Sequence, residues 1–113
     1  MRHVPTHPAN SIEQQVLGEL QTCYDPEIPV SIVDLGLIYR YQIKGTKKSG
    51  YHVSVTLTLT TPGCAMGVTI AGEIESKIKK LPHVKACQTT ITFDPPWDAS
   101  RMSQSARLQL GLL

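Results

Sequence analysis

The chain has 113 residues, of which 41% are hydrophobic and 18% are charged. This length indicates one domain, and a domain of this size can bury a single modest core without metals or disulfides. The formal net charge of +2 does not indicate a polyanion partner, so we expect no nucleic acid binding. No stretch approaches the roughly 18 uninterrupted apolar residues of a membrane span, and no apolar signal core follows the N-terminal residues. We therefore expect a cytoplasmic protein that does not bind membranes.

The N-terminal part of the sequence predicts an arm followed by a helix. Residues 1–10 contain two prolines and two histidines without periodicity, which indicates a flexible arm ahead of one domain over residues 11–113. Ser11 is positioned to cap the helix, with Gln14 as its partner in a capping box. The apolar residues that follow recur at helical spacing and predict a buried face: they are Ile12, Val16, Leu20 and Cys23.

An acidic loop is expected over residues 25–36. Two prolines in this segment forbid a regular element, while its apolar residues indicate that it packs against the core. Its carboxylates, Asp25, Glu27 and Asp34, are candidate metal ligands or acid–base groups. Asp25 and Asp34 each have a structural alternative, because either can form the turn that follows it. Glu27 has no such explanation and ranks first of the three.

Two strands should follow the acidic loop. Alternating residues over 37–44 predict the first strand, and glycines at both ends of residues 45–50 predict a turn. The second strand has the clearest pattern. Its odd-numbered residues from Tyr51 to Leu59 are apolar, while its even-numbered residues from His52 to Thr60 are polar. This alternation is typical of a half-buried antiparallel strand.

A second helix is expected to begin around Cys64 and to end before Pro82. Its apolar stripe is formed at helical spacing by Ala71, Ile74, Ile78 and Leu81. Glutamates precede lysines by four residues at two places, which predicts two ion pairs: Glu73 with Lys77, and Glu75 with Lys79.

The remaining elements complete the predicted fold. A third strand is expected over residues 84–93, Asp98 can cap a short last helix, and Trp97 should pack as a lid on the core. The order helix, strand, strand, helix, strand, helix predicts an α+β class: a small single-domain sandwich in which helices pack on a mixed sheet of three or four strands. The third strand must join an edge or pair in parallel through a helical crossover.

The three cysteines, Cys23, Cys64 and Cys87, form neither a disulfide framework nor a CxxC site. Cys64 is the candidate functional thiol because of its position. If Thr61 caps the second helix, Cys64 is the third helical residue and faces unpaired N–H groups at the positive end of the helix dipole. Both favour the thiolate, which attacks electrophiles and binds metals. The alternative is a buried structural cysteine.

The loop around this cysteine is expected to support it. Thr60, Thr61 and Gly63 precede Cys64, and small residues there would let another molecule approach the backbone closely. A Cys–His catalytic pair would require His52 or His83 to fold against this loop. Neither histidine has ligand spacing, and we expect both at the surface.

Three ordered motifs resemble a known family. They read DPEIPVSIVDLGLIY over residues 25–39, TTPGCAMG over residues 60–67 and FDPPW over residues 93–97. Together they resemble the metal-sulfur cluster assembly family formerly known as domain-of-unknown-function family 59, particularly its SufT branch. The resemblance implies a small α+β fold, a role in late maturation of iron-sulfur proteins, and partners among the assembly machinery and its target apoproteins. It also implies that Cys64 is the functional residue, with Asp25 and Glu27 beside it.

The metal-ligand set implied in this way is Cys64, Glu27 and Asp25. An iron-sulfur cluster takes about four thiolate ligands, whereas this chain offers one well-placed cysteine. We therefore expect any iron-sulfur cluster to be transient, completed by a second chain in a homodimer or by an added thiol. A chain that docks apoproteins without storing a cluster is a further alternative.

Two other classes of function stay open at the level of sequence. One is a small thiol-dependent enzyme with Cys64 as nucleophile and Glu27 or a histidine as base, although no base motif is recognisable and we expect no enzymatic activity. The other is a protein adaptor without chemistry at Cys64. The sequence contains no GxxxxGK[ST] motif, so any ATP would have to be bound by a partner.

Overall fold

The computed structural model describes residues 11–25, 28–60 and 64–111, apart from the side chains of residues 64–66. The predicted arm over residues 1–10 lies outside this part of the chain. The regular elements are α1 (Ile12–Gln21), β1 (Ile38–Thr46), β2 (Gly50–Leu57), α2 (Cys64–Lys79), β3 (Val84–Ile91), a 3₁₀ helix (Ala99–Arg101) and α3 (Gln104–Gln109). Their order confirms the predicted α+β class.

The sheet has three strands in the order β1-β2-β3. The central strand β2 pairs antiparallel with β1, where Val55 lies opposite Tyr41, and parallel with β3, where Val55 lies opposite Thr89. The sheet is therefore mixed, as predicted, and α2 forms the crossover that a parallel connection requires.

The core lies between the helices and one face of this sheet. Side chains from both long helices, from β2 and from the acidic loop are buried there, and each large one contributes about 1.5–3 kcal/mol. They include Val16 and Leu20 of α1, Ile70, Ile74 and Ile78 of α2, Val53, Val55 and Leu57 of β2, Ile32 and Leu35 of the acidic loop, and Leu37, which follows this loop. The predicted stripe of α2 is confirmed at Ile74 and Ile78, whereas Ala71 and Leu81 are half-buried.

The beginning of α1 agrees with its sequence pattern. The backbone N–H of Gln14 donates to Ser11 Oγ at 3.2 Å, which confirms Ser11 as the N-cap. The helix ends at Gln21, so Cys23 lies beyond it and not on its apolar face. Cys23 is nevertheless fully buried, as a core residue should be.

One residue predicted for the polar face of the second strand is buried. The strand ends at Leu57, and the next residue, Thr58, turns inward while its backbone N–H donates to the carbonyl of Leu37 at 2.8 Å. Alternation predicts orientation only while a strand continues. Within the described residues Thr58 Oγ1 has no hydrogen-bond partner.

One of the two predicted ion pairs of α2 forms. Lys77 Nζ lies 3.2 Å from Glu73 Oε2, which confirms the first pair. Glu75 instead accepts hydrogen bonds from the hydroxyl and the backbone N–H of Thr89, at 2.6 and 3.2 Å. The predicted Glu75–Lys79 pair is therefore wrong, because a neighbouring strand offers Glu75 two donors.

The single last helix predicted from the sequence is divided in two. Asp98 caps the short 3₁₀ helix, where its carboxylate accepts from the Ser100 N–H at 2.7 Å. Hydrogen bonds from the Ser100 hydroxyl and backbone lower the pKa of Asp98. Met102 is extended, with φ −68° and ψ 146°, and this interrupts the helix. A second cap at Ser103 then starts α3.

The C-terminal segment, residues 92–103, is fastened to the acidic loop. Trp97 Nε1 donates to the Leu35 carbonyl at 2.7 Å, and the side chain packs against the core as the predicted lid. The backbone N–H of Ser103 donates to the Asp34 carbonyl at 2.8 Å. The segment therefore crosses from β3 to the β1 side of the sheet.

No helix in the described ranges is long and apolar enough to cross a membrane. The cytoplasmic location expected from the sequence stays a prediction.

Gly36 permits the close approach of the acidic loop to the C-terminal segment. Its φ of +75° lies in the left-handed region, and a Cβ atom there would be 2.7 Å from the Cβ atom of Arg101 and closer still to the Arg101 carbonyl oxygen. Backbone conformation and space both select glycine here.

We therefore expect Gly36→Ala to lower the free energy of unfolding by about 3 kcal/mol, combining the left-handed backbone cost with overpacking. Gly18→Ala is the matched control, because Gly18 is an exposed helical residue with nothing within 4 Å of the added atom. That variant should gain about 0.5–1 kcal/mol. Chemical denaturation measures both, and equal effects would contradict the packing assigned to Gly36.

Candidate functional site

The helix α2 begins at Cys64. This places the residue in the first helical turn, where the sequence put it. The predicted cap Thr61 and the turn residue Gly63 lie outside the described residues, as does the side chain of Cys64. Thr60 is half-buried in a bend that leaves the sheet. The functional role of this loop stays a prediction.

The first turn of α2 packs against Ile91 at the end of β3 and against Leu59, just after β2. A Cβ atom on Gly67 would lie 2.6 Å from Ile91 Cδ1 and 3.4 Å from Leu59 Cδ1. Gly67 therefore brings the helix backbone close to side chains of this same chain. This contact brings the first turn of α2 close to the end of β3.

The acidic loop is closed at its base. Tyr24 and Ser31 form an isolated antiparallel bridge, and the Ile32 N–H donates to the Cys23 carbonyl at 2.9 Å. Asp25, just inside this closure, is 3% exposed. Glu27, the candidate ranked first in this loop, lies outside the described residues.

Asp34 has a structural role in this fold. Ser31 Oγ donates to its carboxylate at 3.4 Å and accepts from its backbone N–H at 3.2 Å. Its carbonyl accepts from Ser103, as described above. These contacts support the turn-forming alternative for Asp34.

The strand directions bring the three sequence motifs to one end of the sheet. Ile38, at the start of β1, lies opposite Leu57 at the end of β2, and Leu57 lies opposite Ile91 at the end of β3. The acidic loop enters at this end, while the cysteine loop and the C-terminal segment leave from it. The Thr58 N–H, just after β2, donates to the carbonyl of Leu37, just before β1, and this bond joins the chain segments next to the acidic loop and next to the Cys64 loop.

The candidate histidines lie toward the other end. His83 immediately precedes β3, and His52 is near the start of β2. Leu57 lies five positions after His52 along the strand, which corresponds to about 17 Å. Both histidines are exposed, as expected, and neither is placed to pair with a thiol at the start of α2.

The other two cysteines are poor nucleophiles in this structure. Burial raises the pKa of Cys23 to about 11, with the charge of Glu73 adding to the effect. Burial likewise raises the pKa of Cys87 to about 11, with a contribution from Glu75. Both thiols are therefore protonated at neutral pH.

Among the described residues no group of three or more His, Cys, Asp or Glu side chains could hold a metal ion. The predicted ligand set of Cys64, Glu27 and Asp25 is not assembled within that part of the chain, because two of its three side chains fall outside it. The set stays a prediction.

Sequence reasoning missed an apolar groove that begins one turn after Cys64. It has a volume of about 370 Å³ and lies between α2 and the end of β3. Val68 is 72% exposed and Phe93 is 45% exposed on its rim. The groove is lined by Leu59, Gly67, Val68, Ala71, Thr89, Ile91 and Phe93. The signal that could have indicated it is Val68, which lies off the buried stripe of an otherwise amphipathic helix.

Comparisons with known proteins agree with this architecture. Residues 13–90 match the family model described as iron-sulfur cluster assembly protein. An Fe-S protein maturation auxiliary factor of Porphyromonas gingivalis is 40% identical over 101 residues, which cover 89% of this chain and 92% of that relative. The Fe-S protein maturation auxiliary factor SufT of Staphylococcus aureus is 32% identical over 88 residues, which cover 78% of this chain and 96% of that relative.

A solved structure is also similar. A domain of unknown function, DUF59, from Bacillus anthracis has a TM-score of 0.79 and 29% sequence identity, with coverage of 90% of this chain and 93% of that one. The family match spans most of the chain, and the shared fold extends over nearly all of it. The chain therefore belongs to the iron-sulfur cluster assembly protein family, as its three motifs predicted.

Proposed function

We propose that this chain is a maturation auxiliary factor that assists delivery of iron-sulfur clusters to target apoproteins, with Cys64 as its functional thiol. The observation that carries the proposal is the arrival of all three motifs at one end of the sheet, where Cys64 opens α2. A thiol in the first turn faces unpaired backbone N–H groups and the positive helix end, which favour the thiolate. Its partners are then the assembly machinery and the apoproteins that accept clusters.

In this proposal the iron-sulfur cluster is cargo. One thiolate at Cys64 cannot fill the roughly four-ligand shell of a cluster, and the carboxylates of Asp25 and Glu27 are hard donors poorly matched to it. A second chain or an external thiol completes the shell, and a shell completed in this way favours transfer over storage.

An enzymatic role with a histidine base is the weaker alternative. The positions of His52 and His83 toward the far end of the sheet argue against a Cys–His pair. The names of the relatives, which describe maturation auxiliary factors, also favour a role without catalysis. An adaptor without chemistry at Cys64 is separated from the proposal by the cysteine variant below.

Replacing the thiol tests the proposal most directly. We expect Cys64→Ser to keep its melting temperature within about 2 °C of the parent, because a thiol that contributes little packing should cost no more than about 0.5 kcal/mol when it is replaced. In cells lacking the parent gene it should fail to restore iron-sulfur enzyme activity, whereas the control Cys87→Ser should restore it. A Cys64→Ser variant that unfolds would indicate a structural cysteine, and one that restores activity would indicate an adaptor.

The acidity of the thiols gives a second test. We expect Cys64 to be alkylated faster than Cys23 or Cys87 in variants that keep one cysteine each. At pH 8 a thiol with a pKa of about 11 is ionised in about one molecule in a thousand. The alkylation rates of Cys23 and Cys87 should therefore keep rising with pH to about 11, while the rate of Cys64 levels off earlier. Coincident rate–pH profiles would refute the helix-start argument.

Reconstitution with iron and sulfide tests the cargo role. Under anaerobic conditions we expect a labile cluster that depends on Cys64 and on either a second chain or an added thiol. Iron and sulfide analysis with native mass measurement gives the stoichiometry, and exchange into thiol-free buffer gives the lability. A stable, fully occupied cluster on a monomer carrying Cys64→Ser would overturn this part of the proposal.

A further inference from the structure

The outer edge of β3 pairs with no other strand in the described part of the chain. Among the strands of residues 11–25, 28–60 and 64–111, β3 is the last of the sheet, with β2 on one side and no strand on the other. The Thr92 N–H donates to the Leu57 carbonyl, so even-numbered residues from Ala86 onward, beyond the register shift at the start of the strand, direct their main-chain groups toward β2. Because direction alternates along a strand, Cys87, Thr89 and Ile91 direct theirs outward. The C-terminal segment leaves toward β1 and does not cover this edge.

The side chain of Glu75 is hydrogen-bonded to this edge. Glu75 of α2 reaches over it and accepts from the outward N–H of Thr89 at 3.2 Å and from its hydroxyl at 2.6 Å. A charge placed at an open edge is a common means of preventing two sheets from pairing. The edges of two copies would bring two Glu75 carboxylates to one seam, where like charges repel. Self-pairing through β3 is therefore disfavoured.

The apolar groove runs beside the same edge. Its helical wall carries Gly67, Val68 and Ala71, and Glu75 continues this wall by one further turn. An extended peptide added to β3 would direct alternate side chains toward this wall. Apolar side chains would cover Val68 and Phe93, and a cationic one would meet Glu75.

The size of the groove also selects the occupant. Seven residues line it, whereas a stable protein interface uses about 20–30 residues on each side. A single short segment fits this surface, and a whole globular face or a lasting dimer needs more. Binding through so small an area is weak and reversible, which suits repeated delivery.

We propose that the β3 edge and the adjoining groove bind one extended segment of the target apoprotein, apolar at alternate positions and carrying a lysine or arginine opposite Glu75. This inference rests on the proposed function, since it identifies how the acceptor is held beside Cys64. The bound segment adds a fourth strand to the sheet next to β3 and begins one helical turn from the thiol.

The test uses neutral substitutions, so that the electrostatic field at Cys64 is unchanged. Val68→Gln removes an apolar contact from the groove at a residue that is 72% exposed, and Phe93→Ser is the second groove variant. Leu108→Gln is the matched control, because Leu108 is 63% exposed on α3, outside the groove. The probe is the apo form of an iron-sulfur enzyme whose activity falls in cells lacking this protein.

We expect both groove variants to bind the probe about tenfold more weakly, a change of about 1.4 kcal/mol, while Leu108→Gln binds as the parent does. Alkylation of the thiol at position 64 should be unchanged in all three. In hydrogen exchange, the amides of Cys87 and Ile91 should gain protection when the probe is added.

The outcomes separate this inference from the proposed function. If Cys64→Ser abolishes enzyme activation but the groove variants bind and activate like the parent, the docking site is wrong and the function stands. If Cys64→Ser is silent, the proposed function fails whatever the groove does. Protection of the β3 amides that rises with the concentration of this protein alone would show self-pairing and overturn the assigned occupant.

Discussion

The parallel pairing of β3 with β2 is the constraint on which the rest of the structure depends. A parallel connection needs a crossover, and α2 fills that role with its apolar stripe buried on the sheet. Because β2 also pairs antiparallel with β1, the end of β2, the end of β3 and the start of β1 coincide. Three segments far apart in sequence therefore meet at one end of the sheet, and Cys64 opens the helix that leaves from it.

Two of the three family motifs hold each other. The C-terminal motif contributes Trp97, whose indole donates to Leu35, and the acidic loop contributes Gly36, whose missing side chain leaves room for Arg101. These contacts explain why the C-terminal motif contains Trp97 and why the acidic loop contains Gly36. These contacts hold the acidic loop against the C-terminal segment at this end of the sheet.

Local spacing made part of this structure predictable. The cap at Ser11, the buried positions Ile74 and Ile78, and the helix start at Cys64 each depend on residues within a few positions. Contacts across the fold were not predictable in the same way. Glu75 has a lysine at the right spacing in its own helix. It nevertheless bonds to Thr89, because this residue offers two donors on a neighbouring strand.

The burial and the hydrogen-bond partners of residues near the site also depend on contacts across the fold. Thr58 continues a polar alternation in sequence, but the strand ends one residue earlier and the residue turns inward beneath the loop that carries Leu37. Asp34 was a candidate ligand because its neighbours are apolar, but its carboxylate accepts from the nearby Ser31 hydroxyl, and its carbonyl accepts from Ser103, which is distant in sequence. The apolar groove escaped prediction because it is formed by two elements that sequence order separates.

Cys23 and Cys87 serve packing in this fold. Cys23 and Cys87 have raised pKa values because burial disfavours their charged forms, so a reagent or metal that requires thiolate meets little competition from them. α2 extends from Cys64 to the groove. Gly67 brings the first turn of this helix close to Ile91, and Val68 faces solvent next to Gly67. A client strand bound at β3 would thus lie against the helix that begins at Cys64. In the proposed function weak docking and incomplete ligation would act together, because a factor that released neither the client nor the cluster would stop after one delivery.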